Sequence, residues 1–324
     1  MKMKYLKIAG KFLVVILALV LVLLAALHIG VTVMYGSFFG NADALFRIPG
    51  LNTGFVPQGF HYLQEQDAYL MSGYMKDHSA ARIYIRGADG KSRFVELLNA
   101  DGSAYDEHAG GVTTDGTHVY LPGTLGVDVF LLTDVLQKEQ ATMVGKIPMA
   151  YDGDCCTFYN GYLFVGDFYY PETYETPENH RVTTPAGDEN PGIIAIYKAD
   201  PAAEYGIDPT PVAAISICDR VQGFCFTEDG QIVLSTSYGF NDSQLWFYDL
   251  EDGRQGSVKV DEKEVPLYYL DSANLTRRVD MPPMSEELIF KDGKVYVLFE
   301  SACTKYKFGN LIRGTHVYAY AMDN

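Results

Sequence analysis

Short apolar stretches and turn residues alternate along most of the chain, in a pattern that repeats five times. In residues 221–238 (VQGFCFTEDGQIVLSTSY), two runs rich in β-branched and aromatic residues flank Asp229 and Gly230. Both central residues of a tight hairpin turn need a positive φ, which Asp and Gly tolerate well. The pattern therefore predicts a β-hairpin, and versions of this hairpin recur before and after it.

Each repeat has the same order of strands and turns. A first strand, a turn, a second strand and a third strand follow one another in all five units, and a fourth strand follows in units one to four. The predicted first strands start at Gln58, His108, Asp152, Gln222 and Ser285.

The fifth unit ends after its third strand, and the missing strand is found at the other end of the domain. Residues 44–49 (ALFRIP) resemble residues 144–148 (VGKIP), the fourth strand of unit two. Pairing of residues 44–48 with residues 315–322 would close a ring and protect the edges of its sheets. The sequence predicts an all-β, five-bladed β-propeller of four-stranded antiparallel blades, closed by an N-terminal strand.

Two long insertions leave a six-bladed propeller as the alternative. Residues 168–191 separate the second and third strands of unit three, and residues 252–273 separate the third and fourth strands of unit four. Either insertion is long enough to hold an additional hairpin.

The N-terminal region predicts a membrane anchor. Residues 12–34 are almost wholly apolar and follow Lys2, Lys4, Lys7 and Lys11. About 20 apolar residues span a bilayer as a helix, and preceding cations keep the N-terminus in the cytoplasm. We expect a cytoplasmic tail (1–11), a transmembrane helix (12–34), a tether (35–43) and an extracytoplasmic propeller domain (44–324). A cleaved signal peptide is the alternative, although its apolar core is normally only about 7–15 residues long.

The net charge of the chain limits its possible partners, and its cysteine content indicates the state of its thiols. The chain has 41 acidic and 25 basic residues, a net charge of −16, which repels nucleic acid and excludes it as a partner. The five cysteines are odd in number and include the adjacent Cys155 and Cys156. This pattern favours buried free thiols over a disulfide framework.

Familiar catalytic motifs such as HExxH and GxSxG are missing, so the propeller geometry guides the search for a site. First strands line the central channel, and the loops that lead into them meet at one mouth. The start of every first strand carries a polar residue, and several second strands end in one. The candidate ligand-binding residues are Gln58, His108, Asp154 (or Asp152), Asp167, Gln222, Glu286 and Glu300, with Ser72 and Ser235 nearby.

The carboxylates among them suggest a metal site. Carboxylates are rarely buried without a partner, and oxygen ligands suit divalent cations. Asp154, Glu286 and Glu300 would hold Ca²⁺ or Zn²⁺, with His108 as a catalytic base. The alternative is structural: Gln58 and Gln222 would bond to backbone or channel water, and His108 would be a buried structural histidine.

Over residues 44–322 the chain resembles bacterial extracytoplasmic β-propellers of the gluconolactonase, strictosidine-synthase-like and YncE-like kind. The gluconolactonase resemblance implies a metal-binding Glu at the start of a first strand, where Glu286 stands. Plant-type glutaminyl cyclases are also similar, since Gln58-Gly59 matches the Gln-Gly of their first blade. Their next strand has Glu-Ser-Thr where this chain has Met71-Ser72-Gly73.

Three functional hypotheses follow. In the first, the propeller binds a small molecule or an envelope protein at its channel mouth without catalysis. In the second, it is a metal-assisted hydrolase or lactonase acting on a small or sugar-like substrate. In the third, the insertion at residues 168–191 contacts another envelope protein.

Overall fold

The computed structural model describes residues 2–250, 255–307 and 314–322. The helices of the described part are α1 (Lys2–Met34), α2 (Gly36–Phe39), α3 (Leu132–Gln137) and a 3₁₀ helix (Glu178–His180). The strands of the first half are β1 (Ala42–Arg47), β2 (Phe55–Leu63), β3 (Ala68–Met75), β4 (Arg82–Gly87), β5 (Ser92–Leu98), β6 (Thr113–Thr114), β7 (His118–Gly123), β8 (Gly126–Leu131), β9 (Gln140–Thr142), β10 (Gly145–Pro148), β11 (Cys155–Tyr159) and β12 (Tyr162–Gly166). Those of the second half are β13 (Val182–Thr183), β14 (Glu189–Asn190), β15 (Gly192–Ala199), β16 (Ile207–Ile217), β17 (Val221–Phe226), β18 (Gln231–Thr236), β19 (Ser243–Asp249), β20 (Gln255–Val260), β21 (Lys263–Tyr269), β22 (Leu275–Met281), β23 (Ser285–Lys291), β24 (Lys294–Phe299) and β25 (His316–Ala321).

Five antiparallel sheets form the blades of a propeller, which confirms the predicted fold class. From the channel outwards, the blades are β2-β3-β4-β5, β6-β7-β8-β10, β11-β12-β15-β16, β17-β18-β19-β22 and β23-β24-β25-β1. Neighbouring inner strands contact each other around the axis, as in β2 with β23 and β11 with β17. Between blades one and two, the Ser72 hydroxyl donates to the carbonyl oxygen of Ala109 at 2.9 Å.

The N-terminal strand closes the ring as predicted. Strand β1 pairs antiparallel with β25, with Ala42 opposite Tyr320 and Arg47 opposite His316, and a bulge follows Ala44. The first and last strands of the propeller therefore share blade five, and neither is left as a free edge.

The insertions cover blade edges and do not add a sixth blade. The hairpin β20–β21 leaves blade four and lies on the outer edge of blade three, where β21 runs parallel to β16. In the same way β9 leaves blade two and pairs in parallel with β5 of blade one. The insertion at residues 168–191 forms the small hairpin β13–β14. The six-bladed alternative is therefore wrong, because these strands extend existing sheets.

The cysteines are free thiols. Cys155, Cys156, Cys225 and Cys303 are buried and Cys218 is half-buried, and none forms a disulfide. They pack as small apolar side chains within the clusters between the blades.

The N-terminal helix is long and apolar enough to cross a membrane from Gly10 to Met34. The segment that follows it differs from the expected tether. Tyr35 and Phe38 are 2% and 0% exposed, and the Phe38 ring stacks on Tyr320 at 5.9 Å and meets Phe299 edge-on at 6.1 Å. Aromatic side chains therefore dock residues 35–39 onto the propeller before β1 begins.

We expect the substitution Phe38→Ala to lower the free energy of unfolding by about 3–5 kcal/mol, because it empties a fully buried aromatic site. Denaturant titration of the full chain in detergent measures this change. The control is Ser37→Ala at the neighbouring exposed position, which should cost little. Equal effects of the two substitutions would show that residues 35–39 are not docked.

Candidate functional site

A cavity of about 510 Å³ opens on the propeller axis. The loops that lead into the first strands and the loops between second and third strands meet there. The described lining combines carboxyl, amide and imidazole groups with aromatic rings, and it consists of Gln58, Tyr74, Glu107, His108, Gly110, Pro122, Gly123, Thr124, Asp152, Gly153, Asp154, Phe168, Tyr174, Gln222, Tyr238, Gly239, Phe240, Met284, Glu286, Glu300 and Tyr306.

Six of the seven candidate residues lie in this cavity, together with the alternative Asp152. The six are Gln58, His108, Asp154, Gln222, Glu286 and Glu300. The seventh, Asp167, lines the neighbouring pocket of about 480 Å³. Asp167 is buried beside the cavity, and the Ser235 hydroxyl lies 2.7 Å from that of Ser285. The rule that polar residues at strand starts face the channel therefore identified residues of the cavity wall. The binding role of these residues stays a prediction.

Glu286 and Glu300 both come from blade five, and their carboxyl groups form a pair in the cavity wall. Burial, followed by the charge of Glu300, raises the pKa of Glu286 well above its usual value, and the two side chains share a hydrogen bond. Burial also raises the pKa of Glu300 to about 7, against the opposing effects of Lys305 and of a hydrogen bond from Gln58. The Nε2 of Gln58 donates to Oε2 of Glu300 at 2.9 Å. In this hydrogen bond Glu286 is the donor, because burial and the charge of Glu300 favour its protonated form.

Asp154 supplies a third carboxyl from the start of blade three. Burial, and then the charge of Asp167, raises its pKa to about 7. Its Oδ2 accepts the backbone N–H of Phe168 at 2.9 Å. Asp154 also lines a neighbouring pocket of about 480 Å³ beneath the insertion, so it separates two cavities.

Asp167 is tied to the insertion. Its Oδ2 lies 2.7 Å from Nδ1 of His180, and its Oδ1 accepts the N–H of Ile193 at 2.7 Å. Both the Asp167 and the His180 side chains are almost fully buried. Asp167 thus orders residues 168–191 over blade three, a role that the strand position alone did not indicate.

His108 faces the cavity as a neutral imidazole. Its ring stacks on Tyr74 with centroids 4.8 Å apart. The side chain is open to the cavity, yet protein surrounds the ring on its other sides. This desolvation, with a smaller effect of Lys305, lowers the pKa of His108 to about 4. At neutral pH one ring nitrogen is therefore free to accept a proton or a hydrogen bond.

Sequence reasoning missed the cationic group at the cavity rim. The ammonium of Lys305 lies 4.7 Å from the centroid of Tyr74 and 5.1 Å from that of Tyr306, and it donates to the Tyr74 hydroxyl. Tyr74 comes from β3 of blade one and Tyr306 from the segment after β24 of blade five, and the spacing of these residues gave no signal that they meet. Tyr74 and Tyr306, beside Glu300, therefore form a cation–π site that the ammonium of Lys305 occupies.

Glu287 is a second residue whose role was not foreseen. It is 0% exposed, and its Oε1 accepts the backbone N–H of Phe224 at 3.2 Å. Burial raises its pKa well above the usual value. Glu286 lines the cavity, whereas Glu287, at the bulge between Ser285 and Leu288, accepts backbone N–H groups of Phe224 in blade four and Cys156 in blade three.

The predicted metal ligands do not form a cluster. Within the described ranges, no group of three or more His, Cys, Asp or Glu side chains is arranged to hold a metal ion. Glu286 and Glu300 bond to each other, whereas Asp154 bonds to the backbone of blade three. The metal role of Asp154, Glu286 and Glu300 stays a prediction.

No known sequence family and no curated protein matches this chain. Among solved structures, the chain is similar to a PQQ-bound aldose sugar dehydrogenase from Streptomyces coelicolor, at 13% identity and TM-score 0.47 over 86% of this chain and 96% of that one. It is also similar to the GH43_1 enzyme from Xanthomonas citri complexed with xylose, at 11% identity and TM-score 0.46 over 86% of this chain and 89% of that one. A third similar structure is Myxococcus xanthus glutaminyl cyclase, at 11% identity and TM-score 0.44 over 87% of this chain and 97% of that one. Similarity at this level assigns neither a ligand nor an activity.

The raised carboxyl pKa values predict a contribution to stability that falls as pH rises. Folded Asp154 and Glu300 keep protons that the unfolded chain releases, so their contribution to the free energy of unfolding should decrease from about pH 4 to about pH 7. His61 and His108, with pKa values lowered to about 4, contribute an increase over part of this range, so the comparison between variants carries the test. Thermal melting across this range measures the dependence on pH. Asp154→Asn and Glu300→Gln should each remove part of the decrease, whereas Glu65→Gln, at an exposed position, should leave the dependence unchanged. An equal slope in all four proteins would contradict the assignment of buried carboxyls.

Proposed function

We propose that this chain is a membrane-anchored, extracytoplasmic β-propeller that binds a small organic cation in its central cavity. The observation that carries the proposal is the convergence of Asp154, Glu286 and Glu300 on one cavity of about 510 Å³. A volume of this size is typical of small-molecule sites.

The acidic groups of the cavity favour a cationic ligand. Glu107 and Asp152 are exposed carboxyls in the wall beside Asp154, Glu286 and Glu300, and none of the described lining residues is Lys or Arg, although the ammonium of Lys305 lies at the rim. The whole chain has a net charge of −16, so its field attracts cations as well. A bound cation would favour the carboxylate forms of Asp154 and Glu300, so negative charge would develop beside it.

Lys305 shows how an ammonium group fits the rim. It contacts two tyrosine rings and lies close enough to Glu300 to lower that residue's pKa. The Lys305 side chain is itself exposed, so it can leave this position for solvent. A ligand cation would replace it over Tyr74 and Tyr306, and would then be closer to Glu300 and Glu286.

Proton release accompanies such binding. Glu300 and Asp154 have pKa values raised to about 7 because their charged forms are desolvated. A nearby positive charge favours the carboxylate and lowers these pKa values. The bound complex therefore holds fewer protons than the free protein, and affinity should increase with pH.

Helix α1 supports the proposed location. It is long and apolar enough to span a bilayer, and the lysines that precede it favour a cytoplasmic N-terminus. We infer that α1 remains as an anchor and that the propeller lies outside the cytoplasm.

We expect choline to bind and its neutral isostere, 3,3-dimethylbutan-1-ol, to bind far more weakly, as isothermal titration calorimetry of the purified full chain would measure. Loss of a charged partner in Glu300→Gln should reduce choline affinity about tenfold or more. The exposed control Glu65→Gln should bind as the natural protein does. Equal affinity for the alcohol and the cation would contradict a site selective for positive charge.

An acid–base enzyme is the second candidate. A general base works best with a pKa near the working pH, and Glu300 has its pKa raised to about 7 in a cavity that also holds the neutral His108. A metal-assisted hydrolase or lactonase acting on a sugar-like substrate would need Asp154, Glu286 and Glu300 to move together around the ion.

Metal analysis tests this second candidate. The hydrolase hypothesis predicts stoichiometric Ca²⁺ or Zn²⁺ in the purified protein, lost in Glu286→Gln, and a melting temperature that falls when EDTA is added. Purified protein with no bound metal, and a melting curve unchanged by EDTA or by added Ca²⁺ and Zn²⁺, would contradict the hydrolase hypothesis.

A further inference from the structure

The residue that follows α1 contacts a loop at the rim of the cavity mouth. Tyr35, the residue after α1, is 2% exposed, and its hydroxyl donates to Oδ1 of Asp242 at 2.5 Å. Asp242 ends the loop between β18 and β19, and Tyr238, Gly239 and Phe240 of this same loop line the central cavity. One short loop therefore contacts both the base of the anchor and the mouth.

Almost no chain separates the anchor from this contact. Helix α1 ends at Met34, and Tyr35 is already buried. Apart from the half-buried Val31, the side chains described between Gly10 and Met34 are exposed, so α1 projects away from the propeller. At about 1.5 Å per residue, the 25 residues of its apolar part are long enough to cross the hydrocarbon core, and a span that ends at Met34 would bring the β18–β19 loop close to the bilayer surface.

The same face carries the most exposed large apolar side chains of the described propeller. Phe240, Leu125 and Tyr174 are 61%, 55% and 51% exposed, whereas the next most exposed, Val144, is at 41%. The three belong to loops between the second and third strands of blades four, two and three. They therefore lie along the part of the rim that the adjacent blades two, three and four form.

Aromatic rings of this rim pack against one another. Tyr170 stacks on Tyr238 with centroids 3.7 Å apart, and Tyr174 meets Tyr238 and Phe168 edge-on. Tyrosine is enriched where proteins meet the headgroup layer of a membrane, because its ring is apolar and its hydroxyl is polar.

We propose that the mouth face of the propeller rests on the bilayer surface, with Phe240, Leu125 and Tyr174 in the headgroup layer. The inference rests on the proposed anchoring by α1. The central cavity then opens towards lipid headgroups and receives its ligand from that layer. Glu107 and Asp152 at the mouth would repel anionic lipid, so a zwitterionic surface is the partner that fits.

Depth-dependent fluorescence quenching tests the proposal. The full chain is prepared with Trp246→Phe, which removes its single tryptophan, and Phe240→Trp or Tyr159→Trp then adds a probe. Tyr159 is an exposed aromatic residue at the β11–β12 turn, at the other end of its blade. In phosphatidylcholine proteoliposomes, lipid brominated near the headgroup end of its acyl chains should quench the emission of the Phe240→Trp protein and shift it to shorter wavelength. It should leave the emission of the Tyr159→Trp protein unchanged.

Each other outcome overturns the proposal. Quenching of only the Tyr159→Trp probe would mean that the opposite face meets the membrane, and quenching of neither would mean that the mouth faces solvent. If Phe240→Trp alters the β18–β19 loop, Leu125→Trp provides a second probe on the same face, in blade two. Choline titration of the same proteoliposomes is a separate measurement, so failure of membrane docking is distinguishable from failure of ligand binding.

Discussion

The pairing of β1 with β25 is the constraint on which the rest of the structure depends. A chain of β-hairpins has two ends, and each end exposes unpaired backbone groups. By giving blade five its outer strand from the N-terminus, the protein turns five separate sheets into one ring. Only in a closed ring do the starts of the first strands meet on one axis, so the cavity and its carboxyls exist because of this pairing.

The cavity holds its titratable groups close to neutrality through neighbours from different blades. Glu286 and Glu300 belong to blade five, and Gln58 of blade one donates to Glu300 across the boundary between these two blades. Asp154 comes from blade three and His108 from the loop before β6. Burial penalises the charged form of each group, so each avoids charge in its own way: the acids by favouring the protonated form and the imidazole by remaining neutral.

The features that the sequence predicted are local or periodic. Alternating apolar residues and Asp-Gly turns predicted the hairpins, and the likeness of residues 44–49 to residues 144–148 predicted the closing strand. Polar residues at strand starts predicted most of the cavity wall. What was missed depends on contacts between distant segments. Parallel pairing of β21 with β16, the Asp167–His180 contact and the position of Lys305 over two tyrosines carry no periodic signal. Tyr35 and Phe38 were assigned to a tether because their burial requires a groove that exists only in the folded propeller.

The docking of Tyr35 and Phe38 has a mechanical consequence. In the proposed membrane-anchored form, tilting of α1 in a fluid bilayer would pull on the chain that follows it. That load would reach Tyr35 and Phe38 before β1, and it would be spread over Asp242 of blade four and the aromatic rings of blade five. Strand β1, which closes the ring, would therefore carry less of this force than the docked aromatic residues before it.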